Sequence, residues 1–267
     1  MPQPKKTILF LGATGGCAFS ALRRSLAANH TCIALCRTPS KLTSKLTPAE
    51  QSSPNLHIEP GNAHDIDALM RALLLPTPNS PPLVDTIISS IGAAPTLSLT
   101  GGIALDDPHA CGTGMTALLT ALRRCRDEKG AVGDPRIVAV STTGISDSGR
   151  RDVPLLMVPL YHVLLREPHK DKKAMERALV ASGERRWTVV RASLLTDGPG
   201  VEDGGRVRVR VGVEDLVVGG KEGVKSLAVG YTIAREDVGR WIFENLIQED
   251  GEGGGGRWDG KAVTVTY

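Results

Sequence analysis

Short apolar runs alternate along this chain with stretches in which apolar residues recur every three or four positions. Runs apolar on both faces predict strands buried inside a parallel sheet, and the longer periodicity predicts helices. The helical spacing is clearest in Ala18, Leu22 and Leu26. The alternation predicts an α/β fold with a doubly wound parallel sheet. The predicted strands cover residues 7–11, 31–35, 56–59, 83–89, 136–140 and 187–191.

A glycine-rich turn joins the first predicted strand to the first predicted helix. Gly12 can adopt the backbone angles of a sharp turn, and Gly15 has no Cβ to keep a pyrophosphate from the backbone. The helix that follows offers free N–H groups and the positive end of its dipole to an anion. This order predicts the phosphate-binding start of a Rossmann-type dinucleotide fold. The expected cofactor contacts here are Gly12, Ala13, Thr14, Gly15, Gly16 and Cys17.

The end of the second strand carries a cation where a NAD-preferring site carries an acid. Arg37 follows Cys36, and no carboxylate stands nearby to bind ribose hydroxyls. A guanidinium suits the 2′-phosphate of NADP(H) by charge and by stacking on adenine. The alternative is a solvated surface arginine. Gly92 follows the fourth strand, and we expect it beside the cofactor because ligands bind outside the carboxyl ends of such strands.

The segment Gly12-Ala-Thr-Gly-Gly16 resembles the atypical branch of the short-chain dehydrogenase/reductase superfamily, the NmrA-like and NAD(P)H-binding proteins. The resemblance extends over most of the chain. It implies that Arg37 carries a preference for NADPH, that Asn62 touches the adenine, and that Lys172 holds the cofactor. It also implies a hydroxyl among residues 141–143 that binds a substrate carbonyl.

The familiar enzymes of this superfamily use a Tyr-x-x-x-Lys motif plus a serine. Here the residue four positions before Lys172 is Pro168, so the tyrosine is missing. A different acid could serve, and Tyr161, His162 and His169 are near in sequence. Alternatively, hydride passes to a quinone, flavin or enone that takes its proton from solvent. The third alternative is that no hydride is transferred.

We therefore predict an NADPH-dependent oxidoreductase that acts on a small carbonyl, quinone or enone substrate. The candidate catalytic residues are Lys172, Thr142, Ser141 and Tyr161. Two alternatives stay open. One is a non-catalytic NmrA-like regulator that senses NADP(H) and binds a protein partner. The other is a redox-silent isomerase or cyclase in the same fold.

The amino-acid composition argues against several classes of binding partner. A net charge of +3 and 3% aromatic residues argue against nucleic acid, and no apolar run reaches membrane-spanning length. The five cysteines show no metal-ligand spacing, so we expect no metal, and we expect reduced thiols in a cytoplasmic protein.

The pattern of polar and apolar residues differs beyond Gly200 from that of the preceding chain. Residues 206–211 alternate arginine and valine with period two, which predicts a half-exposed strand with its valines inward. A helix is predicted from residue 233 through Leu246, and a last strand covers 262–266. We expect a NAD(P)-binding domain over 1–199 and a small substrate lobe over 200–267 that packs on the same sheet.

Overall fold

A computed structural model describes residues 4–75, 80–92, 95–97, 103–159, 165–201, 208–248 and 256–267. Its strands are β1 (Thr7–Leu11), β2 (Thr31–Cys36), β3 (Leu56–Pro60), β4 (Thr86–Ser89), β5 (Pro95–Leu97), β6 (Ile103–Leu105), β7 (Arg136–Thr142), β8 (Trp187–Ala192), β9 (Leu194–Thr196), β10 (Arg210–Asp215), β11 (Val224–Ser226), β12 (Thr232–Ala234) and β13 (Lys261–Thr266). The helices are α1 (Gly16–Ala27), α2 (Pro39–Thr43), α3 (Pro48–Gln51), α4 (Ile66–Leu73), α5 (Ala110–Lys129), α6 (Arg166–Val180), α7 (Gly220–Gly223) and α8 (Arg235–Ile242).

Nine of these strands form one sheet, in the order β11-β10-β13-β8-β7-β4-β1-β2-β3. The strands from β3 to β13 in this order are parallel, whereas β10 and β11 are antiparallel to their neighbours. The strand order reverses direction at β1, so β2 and β4 lie on either side of it. The predicted Rossmann-type fold is confirmed. Ligands bind at the carboxyl ends of the strands where such a reversal occurs.

Alternate residues of each buried strand serve two separate cores. In β1, Ile8 and Phe10 pack with α1 and α8 on one face of the sheet. Leu9 and Leu11 pack with α4, α5 and α6 on the other face. All four side chains are fully buried, which explains why the strand is a continuous apolar run and shows no alternation.

The C-terminal residues extend the sheet. The strands β10, β11 and β13 come from this part of the chain, and β13 pairs in parallel with β8. The predicted valine-rich strand is displaced, because β10 begins at Arg210; residues 202–207 lie outside the described part of the chain. The last predicted helix begins as α8 and continues as a π-helical turn over Phe243–Gln248. Within the described ranges, no helix is long and apolar enough to cross a membrane.

Candidate functional site

A cleft of about 510 Å³ lies at the carboxyl ends of β1, β2 and β4. Its walls come from the glycine turn, the residues after β2, the residues after β3 and the start of α5. The lining residues are Gly12, Ala13, Thr14, Gly15, Leu35, Cys36, Arg37, Thr38, Lys41, Gly61, Asn62, Ala63, His64, Ser90, Ile91, Gly92, Asp106, Asp107 and Ala110.

The glycine turn has the geometry of an anion cradle. Gly12 has a φ of +79°, and a Cβ built on it would lie 2.6 Å from the carbonyl oxygen of Ser90. The N–H of Gly15 donates to the carbonyl of Gly12 at 2.9 Å, which closes the turn. No side chain caps α1, and its first turn carries no acidic residue. The backbone N–H groups and the positive helix end are therefore available to a phosphate.

Two residues predicted to contact the cofactor have other surroundings. Gly16 is absent from the lining of the cleft, and the Cβ it lacks would lie 2.7 Å from Cβ and Cδ of Arg235. Its small size thus makes room for a side chain from α8. Cys17 is buried behind the turn, and burial raises the pKa of its thiol to about 11, despite the lowering effect of Arg235 and Lys172.

The end of the cleft beside β2 is cationic. Arg37, Thr38 and Lys41 follow the strand and line the cleft, and none of them is acidic. Arg37 is exposed, so its guanidinium can reach a ligand at little cost in desolvation. Lys45 donates from Nζ to the carbonyl of Thr14 at 2.7 Å, which ties the segment after α2 to the glycine turn.

Asn62 and Gly92 both line the cleft. The Asn62 side-chain oxygen accepts from the N–H of His64 at 3.1 Å, so part of its acceptor capacity serves a local turn. Its amide NH₂ can still donate, and the predicted contact of Asn62 with the adenine stays a prediction. Gly92 is exposed, and among the residues that the structure describes, none beyond its chain neighbours has an atom within 4 Å of the position that its Cβ would take.

Lys172 lies on α6 at the carboxyl ends of two neighbouring strands. Its Nζ donates to the carbonyl of Ile91 at 2.8 Å, just after β4, and to the carbonyl of Val140 at 2.7 Å, in β7. These two acceptors account for two of the three donors of an ammonium group. Ile91 also lines the cleft, so the ammonium lies behind one of its walls.

The predicted hydroxyl residues separate into two environments. Ser141 is buried, and its Oγ donates to Glu176 at 2.6 Å, so the structure does not bring this residue into the cleft. Its predicted contact with a substrate stays a prediction. Thr142 is half-buried at the end of β7, with a weak bond to the carbonyl of Thr143 at 3.3 Å. Tyr161 and His162 lie outside the described residues.

Several residues of the site were not predicted from the sequence. Lys41 could have been found, because it lies one helical turn after Arg37 at the same strand end. His64 lies two residues after Asn62, in the same turn after β3. Asp106 and Asp107 carry no local signal, since tertiary folding alone brings the residues before α5 to the cleft. Arg235 is not among the lining residues, and the structure places its side chain against Gly16.

The residues present fit a dinucleotide. The cleft offers open space at Gly92 and backbone donors at the start of α1. Arg37 and Lys41 provide cations for a ribose phosphate beside β2. In the part of the chain that the structure describes, no group of three or more histidine, cysteine or acidic residues is arranged to hold a metal ion.

Comparison with known proteins agrees with this geometry. The chain is 41% identical over 279 aligned residues to "Reductase pytE" of Aspergillus terreus, with both chains covered completely. It is 37% identical over 292 aligned residues to "Oxidase pynE" of Aspergillus niger, covering 98% of this chain and 99% of the relative. The fold matches a short-chain dehydrogenase/reductase from Veillonella parvula in complex with NADP, with a TM-score of 0.68, 16% identity, and coverage of 99% and 95% of the two chains. Residues 12–249 match the family described as NAD(P)H-binding, and the chain therefore belongs to that family.

Proposed function

We propose that this protein is an NADPH-dependent oxidoreductase that reduces a small carbonyl, quinone or enone compound. One observation carries the proposal: the glycine turn and Arg37 line the same cleft, and the strand that leads to Arg37 ends without an acid. The names of the two fungal relatives, a reductase and an oxidase, support the reaction class.

Arg37 and Lys41 are the residues proposed to hold the 2′-phosphate. A planar guanidinium can make two parallel hydrogen bonds to a phosphate, and the nearby ammonium adds a second positive charge. A ribose without this phosphate offers neither cation an anionic partner. The cleft should accordingly prefer NADPH over NADH.

Lys172 is proposed to orient the reactive end of the cofactor. The cofactor supplies hydride chemistry when bound. The Lys172 ammonium donates to the carbonyls of Ile91 and Val140, and the thiol of Cys111 is its weaker third partner, which a ribose hydroxyl would replace. Backbone carbonyls of two adjacent strands fix its position, so the geometry is set before a ligand arrives.

The substrate end is proposed to use Thr142. Thr142 is the last residue of β7, two residues after Val140, whose carbonyl accepts from Lys172. The bond of its hydroxyl to the carbonyl of Thr143 is long enough to be exchanged for a substrate oxygen. Pro168 has no proton to give. The candidate proton sources are Tyr161 and, for an acceptor that is protonated from solvent, water.

The test is consumption of NADPH absorbance with panels of carbonyls, quinones and enones. Lys172→Met should lower kcat/KM about tenfold or more, the loss expected for one charged hydrogen bond. Lys170→Met is the matched control, because Lys170 lies on the same helix and pairs at the surface with Glu167. Equal activity of Lys172→Met and Lys170→Met would contradict the role of Lys172.

The presence of Pro168 favours a second candidate, a regulator that binds NADP(H) without turning it over. That candidate predicts dinucleotide binding, no oxidation of NADPH across all three panels, and a protein partner whose binding depends on the cofactor. Turnover with any member of a panel would exclude it.

A further inference from the structure

Arg235 begins α8 and lies against the start of α1. A Cβ on Gly16 would lie 2.7 Å from both Cβ and Cδ of Arg235, so the aliphatic part of the arginine occupies the space that the glycine leaves. The neighbouring helices are held at this distance by a second glycine, Gly239, which packs on the carbonyl of Cys17 and on Ser20. The arginine side chain thus runs past the first turn of α1.

The guanidinium of Arg235 has an exchangeable partner. Its Nη1 pairs with Oδ1 of Asp197 at 2.8 Å, and the Asp197 side chain is 92% exposed. A pair this exposed to water is weak. Arg235 is also the cation that most lowers the pKa of the Cys17 thiol, which places its charge beside the first turn of α1.

A buried carboxylate fixes the frame around this pair. Asp237, two residues after Arg235, accepts from the N–H of Val201 at 2.8 Å and from the hydroxyl of Tyr267, and it pairs with Arg240. It is almost fully buried. The segment that carries Asp197 and the start of α8 are therefore joined, and Arg235 spans from that segment to α1.

We propose that Arg235 is a ligand of the cofactor pyrophosphate and that Asp197 is the partner it exchanges for the phosphate. The inference rests on the proposed dinucleotide site and adds to it a charged contact from α8, at the first turn of α1. The backbone cradle supplies neutral donors, and Arg235 supplies the positive charge that a doubly anionic pyrophosphate requires.

Substitutions of Arg235 and Arg37 should then weaken the binding of different sets of ligands. The pyrophosphate is common to NADPH and NADH, so Arg235→Met should weaken both by a similar factor, about 10- to 100-fold. Arg37→Ala should weaken NADPH alone. Adenosine 2′-monophosphate carries the ribose phosphate without a pyrophosphate, so its binding should depend on Arg37 and not on Arg235.

The experiment is titration of each purified variant, followed by dinucleotide fluorescence and by calorimetry. Methionine retains the aliphatic stem against Gly16. Arg24→Met is the matched control, because Arg24 has the same 34% exposure and pairs with Glu236, the residue next to Arg235. Asp197→Asn should tighten both dinucleotides about two- to fivefold, because it removes the competing carboxylate.

Three results would overturn the inference while leaving the proposed function intact. They are wild-type affinity in Arg235→Met, loss of NADPH binding alone in that variant, and weaker dinucleotide binding in Asp197→Asn. Failure of the wild-type protein to bind any dinucleotide would instead remove the proposed function and this inference together.

Discussion

Glu176 lies one helical turn after Lys172 on α6, and its carboxylate pairs with the guanidinium of Arg191 on β8. The distance between Nη2 of Arg191 and Oε2 of Glu176 is 2.6 Å, and both side chains are buried. Ser141 donates to the same carboxylate, and Arg191 also binds Glu214 at 2.5 Å. This network attaches α6 to the sheet at the level where Lys172 reaches the strand ends.

Glu176→Ala should therefore destabilise the protein strongly. The substitution removes one counter-ion of a buried arginine and leaves the Ser141 hydroxyl without its acceptor, for a loss of about 3–5 kcal/mol in the free energy of unfolding. Urea denaturation measures it. Glu167→Ala is the control on the same helix, because Glu167 forms an exposed pair with Lys170, and it should cost less than about 1 kcal/mol. Equal losses in the two variants would contradict the account.

Gly12→Ala should lower stability and abolish dinucleotide binding. Alanine at a φ of +79° is strained, and its Cβ would meet the backbone carbonyl of Ser90, which cannot move aside as a side chain can. We expect a loss of about 2 kcal/mol or more. Gly92→Ala is the comparison, since no atom of the described residues beyond its chain neighbours lies within 4 Å of the added Cβ. The midpoint of urea unfolding of Gly92→Ala should equal that of the wild-type protein. If Gly92→Ala lost as much stability as Gly12→Ala, steric strain at Gly12 would not explain the loss in Gly12→Ala.

The cysteines should be unreactive in the folded protein. All five are buried and reduced, and burial raises the pKa of Cys17 to about 11 and that of Cys32 to about 12. Reaction with a thiol reagent requires the thiolate, which is scarce at pH 8 for such groups. A disulfide reagent should titrate no thiol rapidly under native conditions and all five in denaturant. Rapid labelling of Cys17 in the native protein would show that the glycine turn opens.

Asp152 should make stability depend on pH. Burial raises the pKa of this carboxyl, although the N–H of Gly144 donates to it at 3.1 Å. Because the pKa is higher in the folded than in the unfolded state, the stability that the protonated group provides is lost as pH rises through the folded pKa. Relative to Asp152→Asn, the wild-type protein should become less stable from about pH 4 upward. Urea denaturation across pH measures the difference, and a difference that does not change with pH would contradict the prediction.

The parts of this structure that sequence predicts are those fixed by near neighbours. Asp65 directly precedes α4 in the sequence, and its carboxylate accepts from the N–H groups of Asp67 and Ala68 at the start of that helix. The order of strand, glycine turn and helix at the N-terminus is local in the same way. The buried strands are readable because both of their faces must be apolar.

The parts that sequence does not predict depend on residues far apart in the chain. The apolar spacing typical of a helix begins only at Met115 in the sequence, yet α5 begins at Ala110. Its first turn is capped by Asp171 from α6, which accepts from the N–H groups of Cys111 and Gly112 at 2.8 Å. Gly16 lies against Arg235, which is far away in the sequence, and its predicted contact with the cofactor stays a prediction.

The central claim is that the cleft binds a nicotinamide dinucleotide and that Arg37 selects the one with a 2′-phosphate. Thermal unfolding of the wild-type protein and Arg37→Ala, with NADPH and with NADH, tests it most directly. A ligand at about 100 times its Kd adds about 2.7 kcal/mol, which corresponds to a rise of roughly 5–10 °C in Tm. The account predicts that NADPH raises the Tm of the wild-type protein, that NADH does so much less, and that Arg37→Ala removes the difference. No shift with either dinucleotide, or an NADPH preference that survives in Arg37→Ala, would contradict it.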